Sequence, residues 1–202
     1  MTLMRRRGPF TRLGIAGLLA VAAVGCSQKP PVDRNKEVFA DFSKRVDTYA
    51  TLQQRLADSV GPLDPKMSQN EIAARSSKLA NAIIAARQGA REGDIFTPEV
   101  STIMATIIKE EYSRRPQRIL ETRGDAQQEL KDERPSFEPQ VNQVYPTGAP
   151  LATFPASLLP LLPQLPKQVE YRIVTTNLLL RDIEANVIVD VMRNAVPQEK
   201  LP

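Results

Sequence analysis

Prolines divide this chain into parts that must fold differently. Eight of its prolines lie between residues 135 and 167. Proline lacks the backbone N–H that helices and central strands need, so this part forms neither. The segment FPASLLPLLPQLP, residues 154–166, is nevertheless too apolar for a solvated linker. We therefore expect residues 135–167 to form a proline-rich strap that lies extended across a hydrophobic surface, or to serve as the docking strip of a partner.

Helical patterns precede the strap. From Arg34 to about Val60, apolar residues recur at steps of three and four, which places them on one face of a long helix. The stretch GPLDP ends that helix. The stretch SQNE, Ser68 to Glu71, has the spacing of a capping box and predicts the start of a second helix.

A third helix is predicted from TPE, with Thr97 as N-cap and Pro98 in the first helical position. It has the clearest amphipathic pattern of the chain. A shorter charged helix is predicted at residues 117–133. Three to four helices joined by short loops favour an antiparallel bundle over residues 34–134.

The C-terminal part changes to β-type composition. Residues 168–193 contain three short β-branched and aliphatic runs separated by the turn residues TTN and IEAN. They predict a three-stranded antiparallel meander with strands at Val169–Val174, Leu178–Asp182 and Val187–Met192, followed by a tail at 194–202. Such a sheet is marginal alone, so we expect it to pack on the helices with the strap passing between. The predicted fold class is α+β, mainly α.

The N-terminus has the parts of an export signal. Four arginines, at 5, 6, 7 and 12, precede the apolar run Leu13–Val24, which is too short for a comfortable membrane span. The stretch AVGC then ends at Cys26, the only cysteine, and resembles the lipobox of bacterial lipoproteins, although Ala23 stands where that pattern prefers Leu. The resemblance implies cleavage after residue 25 and a thioether-linked diacylglycerol on Cys26.

Export without acylation is the alternative interpretation, and it leaves Cys26 as a free thiol. Residues 26–33 are predicted to be a polar tether whose prolines keep it extended. The lipoprotein resemblance implies a protein anchored at the periplasmic side of the cell envelope. Ser27 after the anchor favours the outer over the inner membrane by analogy with lipoprotein sorting.

A second resemblance lies at the other end of the chain. The stretch LPKQVEYRIVTTNLLLRDIEANVIVDVM, residues 165–192, resembles the C-terminal ending of a group of uncharacterised bacterial exported proteins. The resemblance implies that this ending is a folded module. It implies no activity.

Composition excludes several chemistries. The chain has no histidine, which removes Ser-His-Asp and Cys-His catalysis and the commonest zinc ligand. No P-loop spacing is present, and we expect no cofactor or metal. Without the four leader arginines, the 27 basic residues fall to 23 and equal the 23 acidic ones. A balanced mature domain gives no support for nucleic-acid binding.

Two groups of charged residues are candidate sites. Asp182, Glu184 and Asp190 cluster on the predicted hairpin, either as a hard-cation site or acid/base pair, or, as we favour, as the solvated rim of a turn. Arg114, Arg115 and Arg118 form either an anionic-ligand clamp or, the favoured interpretation, surface charges paired with neighbouring glutamates on one helix.

These observations lead to three functional hypotheses. The first is a membrane-anchored envelope lipoprotein that acts without catalysis, as a protein-interaction or structural module with an envelope protein as partner; its oligomeric state is open. The second is a carboxylate-dependent hydrolase or lyase of the cell envelope. The third is binding of a lipid or another apolar ligand between the helices and the strap.

Overall fold

A computed structural model describes residues 34–114, 138–146 and 154–196. Within them the mainly α, α+β architecture predicted from the sequence is confirmed. The elements are α1 (Arg34–Val60), α2 (Gln69–Ala86), α3 (Pro98–Arg114), a short 3₁₀ helix (Leu159–Leu161), β1 (Val169–Val174), β2 (Asn177–Asp182) and β3 (Ile188–Met192). The helix predicted at 117–133, the leader, the tether at 26–33 and residues 197–202 of the tail lie outside the described residues.

The helix ends follow from local capping. α1 stops at Gly61, whose φ of 104° is accessible to glycine at no steric cost. At the start of α2 the capping box is confirmed, because the Ser68 N–H donates to Glu71 Oε2 at 2.7 Å and the Glu71 N–H donates to Ser68 Oγ at 3.4 Å. At α3 the Thr97 hydroxyl accepts from the Val100 N–H at 3.4 Å.

The main core lies between the three helices and one face of the sheet. Four aromatic rings run through it in the order Phe96, Phe42, Tyr171 and Phe154, with successive centroids 5.7, 6.5 and 5.5 Å apart. They come from the α2–α3 loop, α1, β1 and the strap respectively. A chain with only 5% aromatic residues therefore uses four of them to join α1, the α2–α3 loop, β1 and the strap.

The sheet is an antiparallel meander in the order β1-β2-β3. Its register places Val169 opposite Asp182 in the first pair of strands. In the second pair, Leu180 lies opposite Asp190 but Arg181 lies opposite Ile188, so one residue of β3 is extra and forms a bulge. The bulge brings Asp190 to the side on which the helices pack.

The described parts of the strap, residues 138–146 and 154–166, do not separate α1 from the sheet, so the expectation that the strap passes between them is wrong for these parts. Phe42 stacks on Tyr171 directly, which shows that helix and sheet bury their apolar faces against each other. The strap instead provides two separate covers. Residues 138–146 lie along β3 and over the sheet face opposite the helices, and residues 154–166 pack on the margin of the main core.

Candidate functional site

The outer edge of β3 is closed by the first part of the strap. The Ile188 N–H donates to the Gln143 carbonyl at 2.8 Å, and the Ile188 carbonyl accepts from the Asn142 N–H at 2.9 Å. The next outward N–H, that of Val191, is bound by the Asp190 carboxylate at 2.8 Å. A strand from another molecule therefore finds no free row of donors along β3.

The outer edge of β1 is different. The Ile183 N–H donates to the Gln168 carbonyl, so every second residue from 168 onward hydrogen-bonds to β2. The backbone groups of Val169, Tyr171 and Ile173 therefore point away from the sheet. The Val169 N–H is bound by the Pro166 carbonyl at 3.1 Å, and within the described residues the N–H and C=O of Tyr171 have no hydrogen-bonding partner.

A groove, here called the β1 groove, runs beside this edge. It has a volume of about 720 Å³ and is open to solvent. One wall is the edge itself, residues 169–172, and the other is the strap, through Phe154, Leu159, Pro163 and neighbouring residues. The groove ends before Ile173, which is only 2% exposed. The edge residues that line the groove are Val169 to Arg172, of which Val169 and Tyr171 are themselves buried, at 4% and 5% exposure.

The two walls of the β1 groove are held in place by named contacts. The Tyr171 hydroxyl donates to the Pro163 carbonyl at 3.1 Å, and the Phe154 ring stacks on the Tyr171 ring. Leu158 of the strap is fully buried, which anchors the outer wall in the core, whereas the next residue, Leu159, is 54% exposed. The groove therefore presents apolar side chains on a wall that the core supports.

Charged side chains stand at one rim of the β1 groove. Glu170 accepts two hydrogen bonds from the Arg172 guanidinium, at 2.7 and 2.8 Å, and also pairs with Arg181. Two guanidinium groups share this carboxylate, but only Glu170 and Arg172 line the groove, so the charges at its rim balance.

The candidate carboxylates are not a solvated rim, and that interpretation is wrong for Asp182 and Asp190, both 0% exposed. One oxygen of Asp182 accepts from the Tyr49 hydroxyl of α1 at 2.8 Å, and the other from the Ala185 N–H at 2.7 Å. Burial raises the pKa of the Asp182 carboxyl, and these hydrogen bonds oppose the rise. Asp182 thus fastens α1 to the turn between β2 and β3.

Asp190 fastens the α2–α3 loop to the sheet. Its carboxylate accepts four backbone N–H groups, from Gly93, Ile95, Phe96 and Val191, at 2.7 to 3.0 Å. Burial raises the pKa of Asp190, while these four donors oppose the rise. All of its acceptor capacity is used inside the protein.

Glu184, the third candidate carboxylate, is partly exposed and also has an internal role. One oxygen pairs with Arg75 of α2 and the other accepts from the Gln53 amide of α1 at 3.0 Å. Both oxygens of each candidate acid are therefore bound by the protein. The described residues contain no group of three or more acidic or cysteine residues arranged to hold a metal.

Of the three candidate arginines, only Arg114 lies in the described residues. It is exposed and pairs with Glu110 one turn away at 3.4 Å, as the surface-charge interpretation predicts. Arg115, Arg118 and the predicted lipidation site Cys26 lie outside the described residues. Among the helices described, none is long and apolar enough to cross a membrane.

Sequence reasoning missed the partners of the buried carboxylates. Tyr49, Gln53 and Arg75 belong to helical patterns in which nothing distinguishes a residue that binds the sheet from a surface residue. The separation of more than 100 residues along the chain hides these contacts. The only sequence signal was the unusual density of acids in an otherwise apolar stretch.

Comparisons of this chain with protein-family models, with curated proteins and with solved structures find no match.

Proposed function

We propose that this protein is a lipid-anchored component of the bacterial cell envelope whose folded domain binds an extended segment of a partner protein in the β1 groove. The segment adds to the sheet as a fourth strand beside β1. The protein acts by holding its partner and performs no catalysis.

One observation carries this proposal, namely the contrast between the two edges of the sheet. β3 is closed by residues 142–145, but the N–H and C=O of Tyr171 on β1 have no partner among the described residues and lie beside a groove. Unpaired edges promote uncontrolled association, and proteins ordinarily cover them. An edge left unpaired beside an apolar wall is the arrangement that strand addition requires, because backbone pairing gives affinity and the wall selects side chains.

The sequence of the leader supports the proposed location in the cell envelope. A basic start, an apolar run and AVGC ending at Cys26 fit acylation of that cysteine. A tether of eight residues, 26–33, spans at most about 28 Å when extended, enough to place the domain just above a membrane surface.

Photo-crosslinking in a bacterial host that contains the envelope partners tests the groove. A photoreactive amino acid replaces Leu159 or Gln164, which line the β1 groove, and in a matched control it replaces Asp47, which is exposed on α1. We expect light-dependent crosslinks to a partner protein from the two groove positions but not from Asp47. Equal crosslinking from all three positions, or none from the groove, contradicts the proposal.

A second step tests strand addition itself. The crosslinked partner segment is made as a peptide, and each backbone N–H is blocked in turn by N-methylation. Pairing with β1 uses alternate N–H groups, so binding should fall at every second position, and amide exchange should slow at Tyr171. Loss without alternation means that side chains alone bind the segment.

The anchor is tested by the intact mass of the protein from a membrane fraction, beside a Cys26→Ala variant. The expected mass is that of residues 26–202 plus acyl groups, and the variant should lose them. An unmodified soluble product refutes the anchor without affecting the groove.

A further inference from the structure

A second cleft, here called the arginine cleft, lies between α1 and the α2–α3 loop. Its volume is about 560 Å³, and Arg45, Arg55 and Arg87 line it together with Tyr49. Asp94 is the only acidic residue among the lining residues, and Arg45 pairs with Asp41 beside the cleft, so an excess of one positive charge remains. The cleft shares no lining residue with the β1 groove.

Arg87 is held rigidly at the floor of the arginine cleft. Its guanidinium donates to the Val189 carbonyl at 2.9 Å and to the Asn142 side chain at 3.0 Å. It also lies over the Tyr49 ring, 5.1 Å from the centroid. The Tyr49 hydroxyl is fixed in turn by Asp182. This planar group is therefore preorganised before any ligand arrives.

The charge of Arg87 is not paired by a carboxylate. Its two hydrogen-bond acceptors are neutral, and within the described residues it forms no salt bridge. Burial lowers the pKa of Arg87, which reflects the cost of holding this cation away from water. The nearby carboxylates of Asp190 and Asp94 favour the charged form of Arg87 without forming a salt bridge with it, and they accept backbone N–H groups, four at Asp190 and that of Arg91 at Asp94. An external anion would offset that cost.

The two other arginines approach from α1. Arg45 is bound by Asp41 at 2.7 Å and by the Asp94 carbonyl at 3.0 Å. Arg55 is exposed, and its side chain has no hydrogen bond or ion pair with the described residues. These two positions are ten residues apart, about 15 Å along the helix axis. Arg55 is thus the cation free to reach toward a bound group.

We propose that the arginine cleft binds a small ligand through an oxyanion, a carboxylate or a phosphate group, which Arg87 receives with its remaining N–H donors and Arg55 closes from the solvent side. A guanidinium matches both groups because its donors lie in one plane at the spacing of two oxygens. The apolar part of the ligand contacts Leu52 and Ile95, which also line the cleft.

Titration calorimetry and NMR with two probes, inorganic phosphate and citrate, test this proposal. The protein is the chain from residue 26 with Cys26→Ala, because the unit Val32–Pro202 contains every described residue. Measurements at about 0.15 M salt screen unspecific attraction. We expect saturable binding of at least one probe, with a shift of the Arg87 side-chain N–H signals, and the probe that binds identifies the class of oxyanion.

Variants separate this site from general surface charge. Arg55→Gln should weaken binding about tenfold to a hundredfold without changing stability, because Arg55 has no internal partner. The matched control Arg114→Gln makes the same change of charge outside the cleft and should leave affinity unchanged. Arg87→Lys keeps the charge but loses the planar fork and should also weaken binding at least tenfold; if it does not fold, Arg55→Gln still decides.

Two results would overturn the proposal. One is the absence of saturation by either probe below about 10 mM. The other is equal weakening by Arg55→Gln and Arg114→Gln, which would show that only the net charge attracts the probe. Neither result bears on the β1 groove.

Discussion

The bond network of Asp190 gives the sharpest test of how this fold is held together. In Asp190→Asn one oxygen remains and an NH₂ group replaces the other. The carboxylate accepts the backbone N–H groups of Gly93, Ile95, Phe96 and Val191, and in the variant two of these four groups face a donor. Each buried donor without an acceptor costs about 1–3 kcal/mol, so we expect a loss of about 2–6 kcal/mol in the free energy of unfolding. Domains of this kind have about 5–15 kcal/mol in total.

Urea unfolding followed by circular dichroism measures this loss, with Asp47→Asn as control. Asp47 is exposed on α1, so the same change of atoms there should shift the free energy of unfolding by less than about 0.5 kcal/mol. Amide exchange adds a local readout, because the two amides that face the new NH₂ group, either Ile95 and Phe96 or Gly93 and Val191, should exchange faster in Asp190→Asn. A loss below about 0.5 kcal/mol with unchanged exchange at all four amides would refute the assignment of Asp190 as the anchor of this loop.

Three other perturbations test separate parts of the structure. Tyr49→Phe removes the donor to the buried Asp182 carboxylate and should cost about 1.5–3 kcal/mol in urea unfolding; an unchanged midpoint contradicts this bond. Leu158→Ala should cost about 2–5 kcal/mol because the side chain is 0% exposed, whereas its exposed neighbour in Leu159→Ala should cost less than about 0.5 kcal/mol; equal effects would mean that the strap is not anchored. The N-cap hydroxyl lowers the pKa of Glu71, so this group stabilises the fold above its ordinary pKa and that contribution is lost as pH falls through the folded value. Thermal unfolding from pH 7 to pH 2 should show this loss in the parent but not in Glu71→Gln, and identical pH profiles would disprove it.

The candidate sites show where sequence reasoning reaches its limit. The sequence predicts Asp182 and Asp190 as candidate site residues, but the favoured interpretation places them in solvent, whereas both are buried. Alternation along a strand indicates which side of the sheet a residue occupies, but not what packs on that side. The bulge in β3, opposite Leu180 and Arg181, also changes the alternation locally, and no sequence pattern predicts it. The sequence predicts a protein-interaction module but not the position of its groove, because which edge of a sheet stays open depends on where a distant segment lies.

The arginine cleft was not foreseen at all. Arg87 follows α2 and is one of two basic residues, with Arg91, near GAREGD, and its sequence neighbours do not distinguish it. Its role arises from Tyr49, Asn142 and Val189, which come from three other parts of the chain. A group of this kind can be recognised only when these parts are placed together.

The sequence by itself determined the elements of this protein. Capping residues such as Ser68 and Thr97, the helix-stopping Gly61 and the β-branched runs act within a few residues, so they define helices and strands independently of the rest of the chain. The tertiary structure alone decided that the strap closes β3, that Tyr171 on the edge of β1 has no backbone partner among the described residues and that the buried acids hold helices to the sheet. These outcomes depend on apolar surfaces that are far apart in the chain. A local sequence pattern indicates that a surface will be buried, but not which distant surface will cover it.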